Sequence, residues 1–422
     1  MTAKRYRKVV LAYSGGLDTS VSIRWIQEHY HANVVTLTVN VGQEGELSDA
    51  LERAEANGAE RCVLVEAQDE FARDFLAPAI RANALYEGVY PLSTSLARPL
   101  VVRHLVGVAH KEGADAVAHG CTGKGNDQVR FDIGLQTLDP TLGILAPVRE
   151  WNMNRTDEIA YARTHGIRIH QKPESPYSVD ENLWGRSIEG GVLEDPAFPP
   201  PEEVFQWTSH PDRWPEGPEE VRIGFDQGLP VSLDGRRLPL VRLIRELNRR
   251  AGRHGVGRID LVEDRVVGIK SRETYECPAA VTLISAHQAL ESLVFPRDLL
   301  SFKALVERRY SEIVYEGLWY SPLRQALEAF VESTQAPVTG EVTVRWHQGG
   351  LRIVSRTSPY SLLSRELSTY GRGSTFPQGA AEGFIHLFGL PNRLAYSSWV
   401  RARAGQEEGE ERTAPRTVLP PS

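Results

Sequence analysis

Val9-Val10-Leu11-Ala12-Tyr13-Ser14-Gly15-Gly16-Leu17-Asp18-Thr19-Ser20 carries a short apolar run into a glycine pair and out into an amphipathic segment. Val9 to Ala12 reads as a buried strand, and Asp18 to Tyr30 as a helix with Val21, Trp25 and Ile26 on one face. The loop between them has the chemistry of a pyrophosphate cradle. Gly15 and Gly16 let the backbone approach an oxyanion and take positive φ where needed. Ser14, Thr19 and Ser20 offer hydroxyl donors, while the helix start at Asp18 offers free N–H groups and the positive end of a dipole. The GxxxxGK[ST] loop is absent, because Gly123-Lys124 is followed by Gly125 and preceded at the required spacing by Ala118. No GxGxxG fingerprint opens the first helix either. A plain glycine-containing turn is the bland alternative, and the hydroxyl-rich run in a strand–loop–helix setting weighs against it.

Outward from this loop, apolar runs alternate with amphipathic segments. Val34 to Val41, Cys62 to Val65 and Ala116 to Ala118 read as strands. Glu46 to Asn57, Glu70 to about Asn83, Pro99 to Glu112 and Thr156 to His165 read as helices, with Pro99 suited to a first turn. Ile167 to Ile169 closes the series. This alternation predicts an α/β nucleotide-binding domain over 1–172, a doubly wound and mainly parallel sheet with ligands at the carboxyl ends of its strands. Beyond Lys172 the pattern turns α+β. Glu219 to Phe225 and Val338 to Trp346 read as strands, Ser285 to Ser301 and Phe302 to Leu318 as helices. A second domain is therefore set at 173–404, ending in a helical segment, with Leu362 to Arg403 suited equally to an interface or to packing on its own domain. The Glu-, Pro- and Arg-rich stretch 405–422 is predicted to be a disordered tail.

Bulk properties narrow the function classes. The 422 residues are 41% hydrophobic and 24% charged, with a formal net charge of -7, which disfavours a nucleic-acid carrier. Cys62, Cys121 and Cys277 are far apart and form no CxxC pair, so neither a disulfide framework nor a zinc site is expected. No apolar stretch reaches membrane-spanning length, and the Val9–Ala12 run is too short for a signal-peptide core. A cytoplasmic protein is expected.

The loop Ser14-Gly15-Gly16-Leu17-Asp18-Thr19-Ser20 resembles that of the N-type ATP pyrophosphatases, which cleave ATP between the α and β phosphates. By itself the loop does not choose among GMP synthetases, NAD synthetases, asparagine synthetases and tRNA-modifying enzymes. Further segments narrow the choice: Tyr86 to Pro99, His119 to Phe131, Pro176 to Glu189, and Gly255 to Glu263 continuing through Gly268 to Glu276. Together they resemble the argininosuccinate synthase family over about Val9 to Leu394.

That resemblance implies a ligase condensing citrulline with aspartate at the expense of ATP, with Mg2+ and a homotetrameric assembly. It assigns ATP to Ala12, Tyr13, Ser14, Gly15, Gly16, Leu17, Asp18, Thr19, Ser20, Val39 and Gly120. Citrulline goes to Tyr90, Ser95, Asn126, Arg130, Ser178, Ser187, Glu263 and Tyr275, and aspartate to Thr122, Asn126 and Asp127. The residue types suit these ligands: a guanidinium pairs a carboxylate bidentately, a carboxylate meets an ammonium, and hydroxyls line a neutral ureido group. Asp127, Arg130 and Ser187 are expected to position reactants, with no dedicated nucleophile. No metal ligand set is assigned, Asp18 being the one candidate. Val39, Asn40, Asp132 and Asp264 depart from the family's usual Ala, Asp, Glu and Asn. The competing readings are another adenylating enzyme, such as a tRNA-modifying one, and a nucleotide-sensing module without turnover.

Overall fold

The structure, a computed structural model, describes residues 5–43, 45, 47–151, 153–169, 176–371 and 373–413. The helix start at Glu46, the 172/173 boundary and residues 414–422 of the tail lie outside the described residues.

The first sheet comprises β1 (Lys8–Ala12), β2 (Asn33–Asn40), β3 (Arg61–Glu66), β4 (Ala116–Ala118) and β5 (Gly143–Leu145). Its order is β3-β2-β1-β4-β5 and every pairing is parallel. Chain order reverses between β1 and β4, so a crevice opens beyond the carboxyl ends of those two strands. Around the sheet run α1 (Leu17–Tyr30), α2 (Leu47–Ala56), α3 (Gln68–Phe71), α4 (Ala77–Arg81), α5 (Ser93–Glu112), α6 (Asp127–Leu138), α7 (Pro147–Glu150) and α8 (Arg155–Thr164). A π turn at Ala72–Leu76 joins α3 to α4, so the helical rotation is continuous from Gln68 to Arg81. Asn154 and Asp157 form a reciprocal capping box at the start of α8.

Two expectations need correction here. The fifth strand is Gly143–Leu145, whereas Ile167 packs against Val21 and Ala162 outside the sheet. Helix α5 starts at Ser93, after Leu92 in a left-handed turn (φ 62°), and Pro99 lies inside it. Proline there forfeits one backbone bond. Burial of Leu96, Leu100, Leu105 and Val106 on the same helix outweighs that loss.

The later chain builds two antiparallel sheets. One has the order β11-β12-β7-β6 and the other β10-β9-β8-β13-β14. Their strands are β6 (Ser178–Asn182), β7 (Gly185–Glu189), β8 (Glu219–Asp226), β9 (Leu229–Leu233), β10 (Arg236–Arg237), β11 (Arg258–Asp264), β12 (Lys270–Glu276), β13 (Gly340–His347) and β14 (Gly350–Thr357). The helices are α9 (Leu240–Arg253), α10 (Pro278–Val294), α11 (Arg297–Tyr315) and α12 (Pro322–Thr334). The predicted break at 301/302 falls instead at Phe295-Pro296, because proline cannot continue the helix before it.

One apolar interior unites these layers. It takes Val10 and Val117 from the first sheet, Leu96 and Leu100 from α5, Leu183 and Trp184 from the β6–β7 turn, Tyr275 from the second sheet, and Val344 and Trp346 from the third. Contacts accordingly group everything up to Leu362 as one compact unit, and a second begins at Leu363, inside the 173–404 domain expected from sequence. The second unit holds α13 (Arg365–Ser368), α14 (Gln378–Phe388) and α15 (Leu390–Thr413). Helix α15 thus covers 405–413, part of the stretch expected to be disordered; Glu, Gln and Arg there are good helix formers continuing an existing helix. No helix among the described residues is long and apolar enough to cross a membrane.

Candidate active site

The loop after β1 is held by its own hydroxyls. Tyr13 N–H donates to Leu37 O at 2.8 Å and Thr38 Oγ1 to Tyr13 O at 3.1 Å, fixing the loop's entry on β2. Tyr13 OH meets Ser20 Oγ at 3.0 Å, and Ser14 Oγ meets Thr19 Oγ1 at 3.2 Å. Gly15 has φ 78°, and a Cβ there would lie 2.8 Å from Arg53 Nη2 and 3.0 Å from Ala50 Cβ. Gly16 precedes α1 and brings no side chain to cap its first-turn N–H groups. Gly120, just beyond β4, belongs to the same place: a Cβ on it would lie 2.9 Å from Thr19 Cγ2. Ala12, Leu17, Asp18 and Val39 complete this end, Ala12 closing β1 and Val39 buried near the end of β2.

The turn after β4 ends in a charge cluster at the start of α6. Asp127 Oδ2 accepts from Arg98 Nε at 2.9 Å and Nη2 at 2.7 Å, and its Oδ1 accepts from Arg130 Nη1 at 2.9 Å. Burial works to raise the Asp127 carboxyl, but the two guanidiniums win and hold it down at about 2. Arg98 also reaches Asp180 Oδ2 at 2.9 Å, tying the turn to β6. Asn126 donates from Nδ2 to Tyr315 OH at 2.8 Å and accepts from Val266 N–H at 2.9 Å. Thr122 is exposed at the mouth of the turn.

Strand register assembles the other wall. Ser187 lies opposite Tyr275 and Asp180, while Ile259 opposite Tyr275 and Glu263 opposite Ser271 keep the alternation in phase. Period-2 alternation therefore puts Ser178, Asp180, Ser187, Tyr275, Glu273 and Glu263 on one face. This face is turned toward α5: Ser187 Oγ meets Thr94 Oγ1 at 3.4 Å, and the Tyr90 and Tyr275 rings stack with centroids 4.0 Å apart. Tyr90 is 2% exposed, and burial pushes its hydroxyl up to about 12. Glu263, also 2% exposed, accepts from Tyr275 OH at 2.7 Å and from Tyr315 OH. Burial raises its carboxyl, and the two tyrosine donors only partly offset that. Ser95 Oγ is buried without a hydrogen-bond partner among the described residues, and Ser178 is exposed on the edge strand.

Three of the four departures from the family pattern, Asn40, Asp132 and Asp264, are tied into local contacts. Asn40 Nδ2 donates to Glu66 Oε2 at 2.6 Å, and its Oδ1 accepts from Gly42 N–H at 3.0 Å, so it shapes the turn after β2. Asp132 bonds His119 Nε2 and Arg149 Nη1, each at 2.8 Å, which shows the shorter carboxylate still spanning both. Asp264 pairs with Lys270 at 2.6 Å, and its carbonyl accepts from Tyr86 OH at 2.8 Å. Sequence reading missed Thr94, Arg98, Asp180 and Tyr315. Thr94, Arg98 and Asp180 stood inside quoted segments, but nothing in their spacing marked them; Tyr315 stood in none.

Two family models cover the chain: the arginosuccinate synthase N-terminal HUP domain over 8–168 and the arginosuccinate synthase C-terminal domain over 177–395. The argininosuccinate synthase of Rubrobacter xylanophilus is 54% identical over 387 residues, covering 92% of this chain and 94% of the relative. That of Dictyoglomus turgidum is 53% identical over 387 residues, covering 92% and 97%. That of Pyrococcus furiosus is 54% identical over 390 residues, covering 92% and 94%. A U34-tRNA thiolase NcsA structure from Methanococcus maripaludis aligns with 42% of this chain and 61% of its own, at 19% identity and a TM-score of 0.27, too slight a likeness to argue from. On the family models and the full-length relatives, the chain belongs to the argininosuccinate synthase family.

Proposed function

We propose that this chain condenses citrulline and aspartate at the expense of ATP, giving argininosuccinate, AMP and pyrophosphate, in arginine biosynthesis. The observation that carries the reading is the single sheet face presenting Ser187, Tyr275 and Glu263, with Asn126, Asp127 and Arg130 tied to it through Arg98 and Tyr315. First, the ureido oxygen of citrulline attacks the α-phosphorus of ATP. The bond to the bridging oxygen breaks, and pyrophosphate leaves into the Ser14–Ser20 loop. Then the aspartate amine attacks the ureido carbon of citrullyl-AMP, a C–N bond forms, the C–O bond to AMP breaks and the amine proton departs. The ureido oxygen is a poor leaving group until adenylated, which explains the need for ATP. The chain's part is to align three reactants and stabilise phosphate charge, with Asp127, Arg130 and Ser187 as positioning groups.

Mg2+ belongs to the proposal as the ion that would neutralise phosphate charge. Among the described residues, no group of three or more His, Cys, Asp or Glu gathers to hold a metal. Mg2+ needs only one or two carboxylates beside phosphates and water. Asp18 in the first turn of α1 fits, and Glu158 of α8 is 5% exposed with Oε2 lacking a hydrogen-bond partner among the described residues. Burial and the adjacent Asp18 push the Glu158 carboxyl up to about 8. These two groups would hold the ion at the loop, and the chemistry it would supply is offset of negative charge on pyrophosphate.

The test is pyrophosphate release with ATP, Mg2+, citrulline and aspartate. Release should require citrulline and stop when the metal is chelated. Pyrophosphate formed without citrulline would sink the specific reading and leave the loop assignment alive. Ser187→Ala should raise the KM for citrulline about tenfold while moving that for ATP less than about twofold. Equal effects on both would remove Ser187 from the citrulline wall.

A homotetramer in the cytoplasm, acting on small molecules and not on nucleic acid or membrane, completes the reading. Its support is the exposure of Phe384, Ile385, Leu387, Phe388, Tyr396 and Trp399 in the second unit, more large apolar surface than a lone chain usually leaves wet. The three free cysteines suit a reducing compartment. Light scattering giving a monomer mass would refute the assembly.

A further inference from the structure

Helix α11 ends in the site, and its last residue touches both amino-acid walls. Tyr315 OH accepts from Asn126 Nδ2 at 2.8 Å and donates to Glu263 Oε1. Its carbonyl accepts from Arg130 Nε at 3.0 Å, and the Arg130 guanidinium lies 4.9 Å over its ring. The opposite partner is Tyr86, stacked with centroids 3.5 Å apart and planes 3° from parallel. Two residues on, Gly317 at φ 81° lets the chain leave behind Arg130, because a Cβ there would come within 2.8 Å of Arg130 Cα.

We infer that Tyr315 is a positioning residue that couples the aspartate turn to the citrulline wall, an inference resting on the functional reading above. A hydroxyl has one proton to give. With that proton on the Glu263 carboxylate, its lone pair is left for the Asn126 amide, so the direction Asn126 to Tyr315 to Glu263 is fixed. The fixed direction in turn sets Asn126 Oδ1 toward Val266 N–H, 2.9 Å away. One side chain thereby orients an aspartate-side amide and a citrulline-side carboxylate.

The helix is fastened for this task at helical spacing. Lys303, 1% exposed, donates to Arg81 O at 2.9 Å. Glu307 accepts from Asn83 Nδ2 at 2.6 Å, and Ser311 Oγ accepts from Leu85 N–H at 3.0 Å. Lys303, Glu307, Ser311 and Tyr315 recur every fourth residue and so line one stripe of α11. That stripe grips the segment from Arg81 to Tyr86, which leads directly into Tyr90 of the citrulline wall.

Tyr315→Phe keeps the ring and removes only the hydroxyl. The KM values for citrulline and aspartate should both rise about tenfold, while the KM for ATP stays within about twofold. In a Glu263→Gln background the same change should cost citrulline binding clearly less, since the two residues act as one unit. If all three KM values and the melting temperature move together, Tyr315 is merely structural and the inference fails. It also fails if neither amino-acid KM moves in an otherwise active enzyme. A wild-type protein without citrulline-dependent pyrophosphate release would overturn the functional reading and this inference with it.

Discussion

Asp127→Asn is expected to lose both the aspartate site and a good part of the protein's stability. Arg130 is 5% exposed and Arg98 17%, and both place their charge on this one carboxylate. A neutral amide leaves the Arg130 guanidinium largely desolvated without this counter-charge and leaves Arg98 with Asp180 alone. Removing one partner of a buried pair costs about 3–5 kcal/mol. Asp127 is itself 27% exposed, which puts the expected loss near the lower end, about 3 kcal/mol. Because the folded carboxyl titrates at about 2 and the unperturbed one at 3.8, the contribution is complete above the latter and fades only as pH falls toward the former. The deficit measured by denaturant unfolding should therefore be constant from about pH 5 to about pH 8. Activity with aspartate, as kcat/KM, should fall about 100- to 1000-fold, while citrulline-dependent exchange of pyrophosphate into ATP without aspartate falls less. A variant that melts and turns over like the parent would show that Arg98 and Arg130 find their counter-charge elsewhere.

Gly15→Val is expected to silence the first chemical step with little effect on global stability. The residue sits at φ 78°, where a β-branched side chain is strained, and its Cβ would press on Arg53 and Ala50 of α2. Such strain costs about 1–3 kcal/mol if the loop holds its shape. Gly15 is buried between exposed Ser14 and Gly16, so the short loop should instead shift outward, turning the N–H groups and hydroxyls away from the departing pyrophosphate. Losing preorganised donors of this kind lowers turnover about 100- to 1000-fold. Pyrophosphate release measured with and without aspartate should fall to the same extent, since both share the step. Normal release would mean that the Ser14–Ser20 loop does not hold the leaving group.

The first sheet was readable because its strands and helices alternate in unbroken apolar and amphipathic runs. Its fifth strand was not, since three residues at Gly143–Leu145 carry no period to detect. The start of α5 was hidden for another reason: the left-handed residue before it is Leu92, not the glycine that usually announces such a turn. At the site, residues clustered in segments were legible together, as in Gly120 to Arg130. Tyr315 was not, because its meaning lies in a partner 189 residues earlier. Arg98 reaches Asp127 over 29 residues and Asp180 over a longer span, again a matter of packing rather than of motif. Local chemistry can be read along a chain; reciprocal contacts between distant segments need the fold.

The shared apolar interior has a bearing on how substrates enter. Val10 and Val117 beneath the ATP end, and Leu183, Trp184 and Tyr275 beneath the amino-acid wall, belong to one continuous core. Swinging these walls apart like a clam would expose that core to water, at about 25 cal/mol for each Å² uncovered. One core runs beneath both walls, so opening them apart would carry that cost. On the proposed reaction, reactants and products would pass the rim, where Thr122 and the edge-strand Ser178 are exposed.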